Sequence, residues 1–254
     1  MLKKILKKIF HTFGLEISRI DKEIKNVNFE ELLSEKIKNN PIIFDVGGNK
    51  GQSIELFKKI FKNPTIHSFE PIKSEFDNLK RKFGSDENIF LNNIALGDKI
   101  EEKELNITTL SGNSSFNEIN RNTKWLKVRS KQHNTSTDNY VKSREKVKIL
   151  TLDEYCKNKE IKEIDLLKLD TQGYEDKILK GSLVSLQTNK IKAVRTEIMF
   201  DNTYEKYLTF SDIEKYLLPN NFRMVGIDLM NNNLFTGLVF FADVYYFNKK
   251  FYEL

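Results

Sequence analysis

The stretch IIFDVGGNKG, residues 42–51, decides the fold of this chain. Its first five residues are apolar apart from Asp45, which is the pattern of a buried strand. Gly47, Gly48 and Gly51 then permit a sharp turn and a close approach of backbone to a ligand. Beyond the turn, apolar residues recur at helical spacing. Strand, glycine-rich turn and helix in this order are typical of the nucleotide-binding start of a doubly wound α/β fold.

Strands and helices alternate along the rest of the chain. The periodicity predicts strands over 65–69, 89–93, 102–109, 147–152, 164–169, 193–198, 222–228 and 238–247, and helices over 52–62, 72–83, 153 onward, 174–180 and 211–218. Ser211 is the predicted cap of the last helix. The final two strands, separated by the turn NNN, are expected to pair antiparallel. We therefore predict an α/β protein with a doubly wound, mostly parallel Rossmann-like sheet and an antiparallel strand near the C-terminus.

Two segments differ from this pattern. Residues 1–40 are expected to form a helical extension of the main domain at 41–254, with a helix around residues 29–37. Residues 1–20 are predicted to form a basic amphipathic helix. Such a helix could lie on an anionic membrane, on the surface of the domain or on the second subunit of a homodimer, and the pattern does not decide among these. Residues 110–146 lose all periodicity and predict a mobile lid or a substrate-specific insertion.

Composition excludes several classes of site. Cys156 is the only cysteine, so an intrachain disulfide and a cysteine-based zinc site are excluded. Cys156 itself is expected to be a small, partly buried residue. The net charge of +6 permits nucleic-acid binding, but no dense basic block with interleaved aromatic residues supports it. Cysteine usage favours the cytoplasm, with peripheral contact at the inner face of the membrane as an alternative. Neither a membrane-spanning run nor a signal-peptide pattern is found in the sequence.

Acidic residues at the strand ends indicate the ligand. Glu70 follows the second strand, roughly twenty residues after the glycine turn. A carboxylate at this position can accept hydrogen bonds from both hydroxyls of a ribose. The turn matches neither G-x-G-x-x-G nor a P-loop. Asp45 would repel a pyrophosphate, yet it would attract the ammonium group of an amino acid attached to adenosine. These features favour S-adenosylmethionine over a dinucleotide.

The chain resembles the FkbM-type S-adenosylmethionine-dependent methyltransferases over residues 41–248. The motifs that carry the resemblance are FDVGGNKGQS, HSFEP, NIALGD, VKILTLDEY, IDLLKLDTQGYEDKILKG and TEIMF, in this order. Gly48 stands where the family commonly has alanine, and Thr171-Gln172 where it commonly has Val-Glu. The resemblance implies a class I methyltransferase sheet and methyl transfer to a hydroxyl of a sugar, a glycan or a secondary metabolite.

The resemblance also implies a set of cofactor-binding residues. By position these are Asp45, Gly47, Gly48, Asn49 and Gly51 at the methionine part, Glu70 at the ribose, Pro71, Ile72, Asn93 and Ala95 around the adenine, and Asp170 facing the methyl group.

A hydroxyl acceptor must lose a proton, so a general base is expected. Asp170 is the first candidate, Glu197 the second and His133 the third. The three scattered histidines predict no metal site, although Asp170 and Glu197 leave a carboxylate-bound magnesium as an alternative. Polar and aromatic residues of the insertion are candidate contacts to a sugar: Ser114, Ser115, Asn117 and Trp125.

Two other functions remain as alternatives at this point. The positive net charge fits an RNA methyltransferase. The first helix and a vestigial ligand turn fit a non-catalytic, membrane-associated binding module.

Overall fold

The computed structural model describes residues 29–200, 202–229 and 239–252, together with Phe10 and Thr12. Its strands are β1 (Ile42–Val46), β2 (Thr65–Phe69), β3 (Ile89–Asn92), β4 (Ala95–Leu96), β5 (Glu101–Thr108), β6 (Val141–Leu150), β7 (Leu166–Leu169), β8 (Ala193–Met199), β9 (Phe222–Asp228) and β10 (Phe241–Asn248). Its helices are α1 (Phe29–Lys36), α2 (Gln52–Ile60), α3 (Lys73–Phe83), α4 (Lys124–Gln132), α5 (Leu152–Asn158), α6 (Glu175–Lys180), α7 (Leu183–Gln187) and α8 (Phe210–Leu217).

The main sheet has the strand order β3-β2-β1-β7-β8-β10-β9. Strand β1 pairs parallel with β2 and β7, and the outer pairs β2–β3 and β7–β8 are parallel as well. Strand β10 runs antiparallel to both β8 and β9. The predicted mostly parallel, doubly wound sheet with an antiparallel strand near the C-terminus is therefore confirmed.

The register of the central strands decides where a ligand can bind. Val46 at the end of β1 lies opposite Phe69 of β2 and Leu169 of β7. The residues that follow these strand ends therefore emerge together at one edge of the sheet. In open α/β sheets, this carboxyl edge is where ligands bind.

The segment at 110–146 is more regular than predicted. It contains a short 3-10 helix (Ser111–Asn113), helix α4 and the first part of β6. Strand β6 lies between β4 and β5 in a second sheet, antiparallel to β5. Most residues in the first half of β6 are exposed, so no apolar alternation marks it in the sequence. Backbone pairing to β5 and the hydrogen bond from Arg144 Nε to Asn106 Oδ1, at 3.0 Å, hold it instead.

Helix α1 belongs to the core of the domain. Phe29 stacks on Tyr245 of β10 with ring centroids 4.3 Å apart and an interplanar angle of 2°. Leu33 is buried beneath the helix, in the same apolar cluster as Phe57 of α2. The predicted helix around residues 29–37 is thus confirmed. The basic helix predicted over residues 1–20, apart from Phe10 and Thr12, and the NNN turn lie outside the described residues.

Two smaller features complete the comparison with the sequence. Thr209, and not Ser211, caps α8: the Thr209 amide donates to the Asp212 carboxylate at 3.0 Å, which places the helix start earlier than predicted. Cys156 is buried on α5, and burial raises the pKa of its thiol to about 11. Within the described ranges, no helix is long and apolar enough to cross a bilayer.

Truncation of Leu33 tests whether α1 is part of the cooperative core. Leu33 is 1% exposed, so Leu33→Ala leaves a cavity and should lower the free energy of unfolding by about 3 kcal/mol. Glu35→Ala, on the exposed face of the same helix, should change it by less than about 0.5 kcal/mol. Urea unfolding followed by circular dichroism measures both. Equal midpoints for the two variants would contradict the packing of α1 described above.

Candidate active site

The glycine turn after β1 approaches the end of β7 more closely than any side chain would allow. Gly47 has a φ of +86°, and a Cβ atom there would lie 2.0 Å from the Asp170 carbonyl oxygen. The Gly47 and Gly48 amides both donate to the Phe69 carbonyl, at 3.0 and 3.1 Å. The turn is therefore tied to the ends of β2 and β7 simultaneously. Gly51, with a φ of +89°, packs in the same way against the Phe83 ring.

Gly48 and Asn49 have specific reasons to occupy their positions. A Cβ atom on Gly48 would lie 2.3 Å from Ser68 Oγ, so the alanine common in the family would collide with this hydroxyl here. Asn49 has a φ of +43°, which asparagine tolerates better than most residues. Its amide donates to Glu70 Oε2 at 2.7 Å. The turn thus delivers a backbone donor directly to the acidic residue after β2.

Asp45 lies behind the turn and does not line the cleft. It is fully buried, accepts a hydrogen bond from Ser68 Oγ at 3.0 Å, and lies 3.2 Å from Lys168 Nζ. The Lys168 ammonium also donates to the Gly47 carbonyl at 3.0 Å. Burial opposes the charge on Lys168, but Asp45 and then Asp170 outweigh it and raise the pKa of the ammonium. Asp45 therefore holds Lys168 and the glycine turn from behind the cleft, and its predicted attraction, direct or through water, for the ammonium group of a ligand stays a prediction.

Glu70 is a buried carboxyl group at the end of β2. Its Oε1 accepts from the Ile72 amide at 2.8 Å, while its Oε2 accepts from Asn49. Burial raises the pKa of Glu70 to about 7, against the opposing effect of these two hydrogen bonds. Each carboxylate oxygen keeps a second lone pair for another donor. Glu70 is therefore held in place with unused acceptor capacity at the edge of the sheet.

Glu70 lines a cleft that opens at this edge of the sheet. Gly47 and Asn49 form one side of the cleft. Apolar side chains form another, and the second sheet and its flanking loop close it. Further residues that line the cleft include Pro71, Ile72, Ala95, Leu96, Ser111, Ser114, Phe116, Asp170 and Gln172. Of the predicted adenine contacts, Asn93 is not among the lining residues: its Nδ2 donates to the carbonyls of Glu70 and Pro71, at 2.9 and 3.0 Å, and holds their loop.

A second cavity adjoins the cleft at Gln172, which lines both. The Gln172 amide nitrogen donates to Asp170 Oδ1 at 3.1 Å and to Glu197 Oε2 at 2.8 Å. The hydroxyl of Tyr204 donates to Gln172 Oε1 at 3.1 Å, which fixes the orientation of the amide. Gln172 therefore holds together two carboxylates, one lining the cleft and the other lining the cavity.

Glu197 lies on β8 and faces this cavity. Burial raises the pKa of Glu197 well above its usual value, and the nearby carboxylates of Asp170, Glu175 and Asp243 raise it further. Asp170 differs, since it lines the cleft beside Gly47 and its Oδ2 lies 3.5 Å from Lys168 Nζ. Asp170 and Glu197 thus have different electrostatic surroundings, although the Gln172 amide donates a hydrogen bond to each of them.

The third predicted base is not part of this arrangement. His133 caps the C-terminal end of α4, and neither the cleft nor the cavity is lined by it. Ser115 and Asn117 donate to the carbonyls of Gln172 and Gly173, each at 2.7 Å, so they support the turn after β7. By contrast, Ser114 lines the cleft and Trp125 lines the cavity. No cluster of three or more metal-ligating side chains occurs in the part of the chain that the structure describes.

Several functional residues were missed in the sequence. Lys168 stands in the otherwise apolar run IDLLKL, and a lysine in a buried strand requires a buried acid, which Asp45 provides. That signal was available. Arg129 and Tyr204 carry no comparable signal, because Arg129 lines the cavity from α4 and Tyr204 contacts Gln172 from the loop before α8.

Comparisons with known proteins agree with this geometry. A model of the methyltransferase FkbM domain matches residues 45–224. The chain is 23% identical over 185 residues to the 2-O-methyltransferase NoeI of Sinorhizobium fredii, which covers 72% of this chain and 73% of that protein.

Solved structures with low sequence identity also align along most of the chain. An rRNA methylase from Streptococcus thermophilus is 11% identical, with 92% of this chain and 99% of that chain covered and a TM-score of 0.46. Fibrillarin from Aeropyrum pernix, in complex with natively bound S-adenosyl-L-methionine, is 10% identical, with 86% and 73% covered and a TM-score of 0.45.

A side chain at Gly47 should disrupt the meeting of β1 and β7. Gly47→Ala combines a positive φ with a backbone collision, so it should lower the free energy of unfolding by about 2 kcal/mol or more. Gly112→Ala is the matched control, because its Cβ would meet only the movable end of the Asn49 side chain. Thermal unfolding compares the two. A Gly47→Ala protein as stable as Gly112→Ala would show that the close approach is not required.

Proposed function

The chain belongs to the FkbM methyltransferase family, and from that premise we propose that it is an S-adenosylmethionine-dependent O-methyltransferase acting on a hydroxyl of a sugar, a glycan or a secondary metabolite. Family membership makes it a methyltransferase with a Rossmann-like class I sheet, in agreement with the observed strand order. One observation carries the proposal. Glu70 lines the cleft, and Glu197, which accepts a hydrogen bond from Gln172, lines the adjoining cavity.

The cleft fits the proposed cofactor on three grounds. The Glu70 carboxylate has free lone pairs for the two hydroxyls of a ribose. Pro71, Ile72, Ala95 and Leu96 offer an apolar wall to an adenine ring. The absence of a side chain at Gly47 leaves backbone exposed beside Asp170, where the amino-acid part would lie.

The bound cofactor would supply a methyl group attached to a positively charged sulfur. When the methyl group is transferred, the rest of the cofactor leaves as a neutral thioether. The protein must then place a hydroxyl oxygen against that methyl carbon and remove the hydroxyl proton. We assign the proton acceptor to Glu197, because it lies in the adjoining cavity and its raised pKa gives it more basicity than an ordinary carboxylate. Asp170, beside Lys168 and the glycine turn, is assigned to the cofactor side.

Two observations support a hydroxyl acceptor. The relative from Sinorhizobium fredii is named as a 2-O-methyltransferase. The cavity that adjoins the cleft is lined by polar groups of Asn113, Gln172 and Thr203 as well as by aromatic side chains, a mixture that suits a polyhydroxylated ligand.

The affinity for S-adenosylmethionine should depend on pH through Glu70. Its pKa in the folded protein, about 7, exceeds the ordinary value of 4.5. Ionisation of Glu70 thus costs folding stability as the pH rises through this window, whereas ribose hydroxyls donate best to the ionised form. Between pH 6 and pH 8 the dissociation constant measured by calorimetry should fall about tenfold, as the ionised fraction rises.

Two variants test the assignment of Glu70 to the ribose. Glu70→Gln should bind S-adenosylmethionine weakly and without this pH dependence. Glu55→Gln, an exposed acid on α2, should keep the wild-type affinity and its pH profile. Unchanged affinity in Glu70→Gln would remove Glu70 from the ribose site.

Loss of the Glu197 carboxylate should affect turnover and spare cofactor binding. Glu197→Gln should reduce the rate of methyl transfer from labelled S-adenosylmethionine into a glycan and metabolite extract by about 10²- to 10⁴-fold. Its dissociation constant for the cofactor should match the wild type. Because burial raises the pKa of Glu197 well above its usual value, the wild-type rate should still increase with pH where an ordinary carboxylate is already fully ionised.

The control is Glu205→Gln, which removes an exposed carboxylate. It should retain the full rate and the rising pH profile. If Asp170→Asn abolishes transfer with intact cofactor binding while Glu197→Gln remains active, the two assignments must be exchanged.

A further inference from the structure

Arg129 brings an unbalanced positive charge into the cavity that holds Glu197. It lies on α4 and lines the cavity together with Asn113, Trp125, Gln172 and Phe241. Its Nη1 donates to Gln132 Oε1 at 3.2 Å, which is a neutral partner. Among the described residues, no carboxylate lies within 4.0 Å of this guanidinium. In contrast, three other described arginines each lie within ion-pair distance of an acid: Arg121, Arg144 and Arg195.

One donor of Arg129 is also unused. Its Nε–H is buried and has no hydrogen-bond partner in the described part of the chain. A buried charged donor without a partner costs free energy, so such a group is normally satisfied by protein, water or ligand. The aromatic ring of Trp125, 6.0 Å from Arg129 Cζ, supports the guanidinium from one side without satisfying this donor.

The rest of the cavity does not offset the charge of Arg129. Glu197 is the acid that lines it, and no ion pair joins Glu197 to Arg129 in the described structure. The cavity therefore offers a guanidinium at one position and a proton acceptor at another.

From this arrangement we propose that the acceptor is an anionic sugar, whose carboxylate, sulfate or phosphate group pairs with Arg129 while a hydroxyl faces Glu197. A guanidinium fork matches the oxygens of such groups and binds them through two parallel hydrogen bonds. This inference rests on the proposed methyltransferase function and specifies its substrate class. In the transfer step, the new oxygen–methyl bond replaces the sulfur–methyl bond, and the hydroxyl proton passes to Glu197; the anionic group does not react.

Four sugars that differ at a single carbon provide the test. Methyl glucoside is neutral, whereas methyl glucuronide, methyl glucoside 6-sulfate and methyl glucoside 6-phosphate carry the three candidate anions. Binding of each to the full chain is measured by calorimetry, with and without S-adenosylmethionine. At least one anionic sugar should bind about tenfold or more tightly than methyl glucoside, and the arm that does so identifies the anion.

Three arginine variants then assign the preference to one side chain. Arg129→Gln should lose the preference for the anionic sugar by about 10- to 100-fold, the effect of a hydrogen bond to a charged group. Arg129→Lys should restore part of it, which also guards against a folding defect in the glutamine variant. Arg121→Gln, an exposed arginine paired with Asp138, should bind like the wild type.

The outcomes separate this inference from the proposed function. Equal binding of all four sugars, or an anion preference that survives in Arg129→Gln, overturns the anionic acceptor even if S-adenosylmethionine binds and methyl groups are transferred to a neutral sugar. Anion binding that depends on Arg129, without any affinity for S-adenosylmethionine, supports the anion site and contradicts the methyltransferase cleft.

Discussion

The candidate site depends on one buried ammonium group. Lys168 Nζ lies 3.2 Å from Asp45, donates to the Gly47 carbonyl at 3.0 Å and lies 3.5 Å from Asp170. These contacts join the end of β1, the glycine turn and the end of β7. A buried ion pair of this kind adds little net stability, because desolvation offsets the attraction, but loss of either partner strands a buried charge. The pair therefore acts by fixing geometry: the turn cannot move relative to Asp170 without separating these charges.

A second constraint arises from crowded acids beyond β7. Asp170, Glu175 and Glu197 lie close enough for each to affect the others, and Glu175 is buried with its carboxylate accepting from the Thr171 amide and hydroxyl. Gln172 stands among them as a neutral residue where the family commonly has an acid. Its amide donates to Asp170 and Glu197 together, which another carboxylate could not do. Glutamine at position 172 thus lowers the repulsion among these carboxylates and leaves Glu197 as the acid that faces the cavity.

The sheet, the glycine turn and the cleft beside it could be predicted because their signals are local. An apolar strand, three glycines and an acid after the next strand all lie within residues 42–70, and the parallel register brings them together. The position of Asp45 could not be read in this way. Its approach to the ligand depended on the partner of its charge, and that partner, Lys168, is 123 residues distant in sequence but adjacent in the sheet. The role of Asn93 in holding the Glu70–Pro71 loop also depends on contacts between segments distant in sequence, and its predicted place near an adenine stays a prediction.

The acceptor side is harder to predict because it is built from polar segments brought together over long distances. Strand β6 alternates poorly, since its first half is solvated, and α4 presents Arg129 to a cavity whose opposite walls come from β8 and the start of β10. Such contacts leave no period in the sequence. Yet they follow a physical rule once the structure is known: a buried donor of a charged group that has no partner calls for an acceptor. The residues that line the cleft thus come from short motifs, whereas the unpaired donor of Arg129 is recognisable only in the assembled fold.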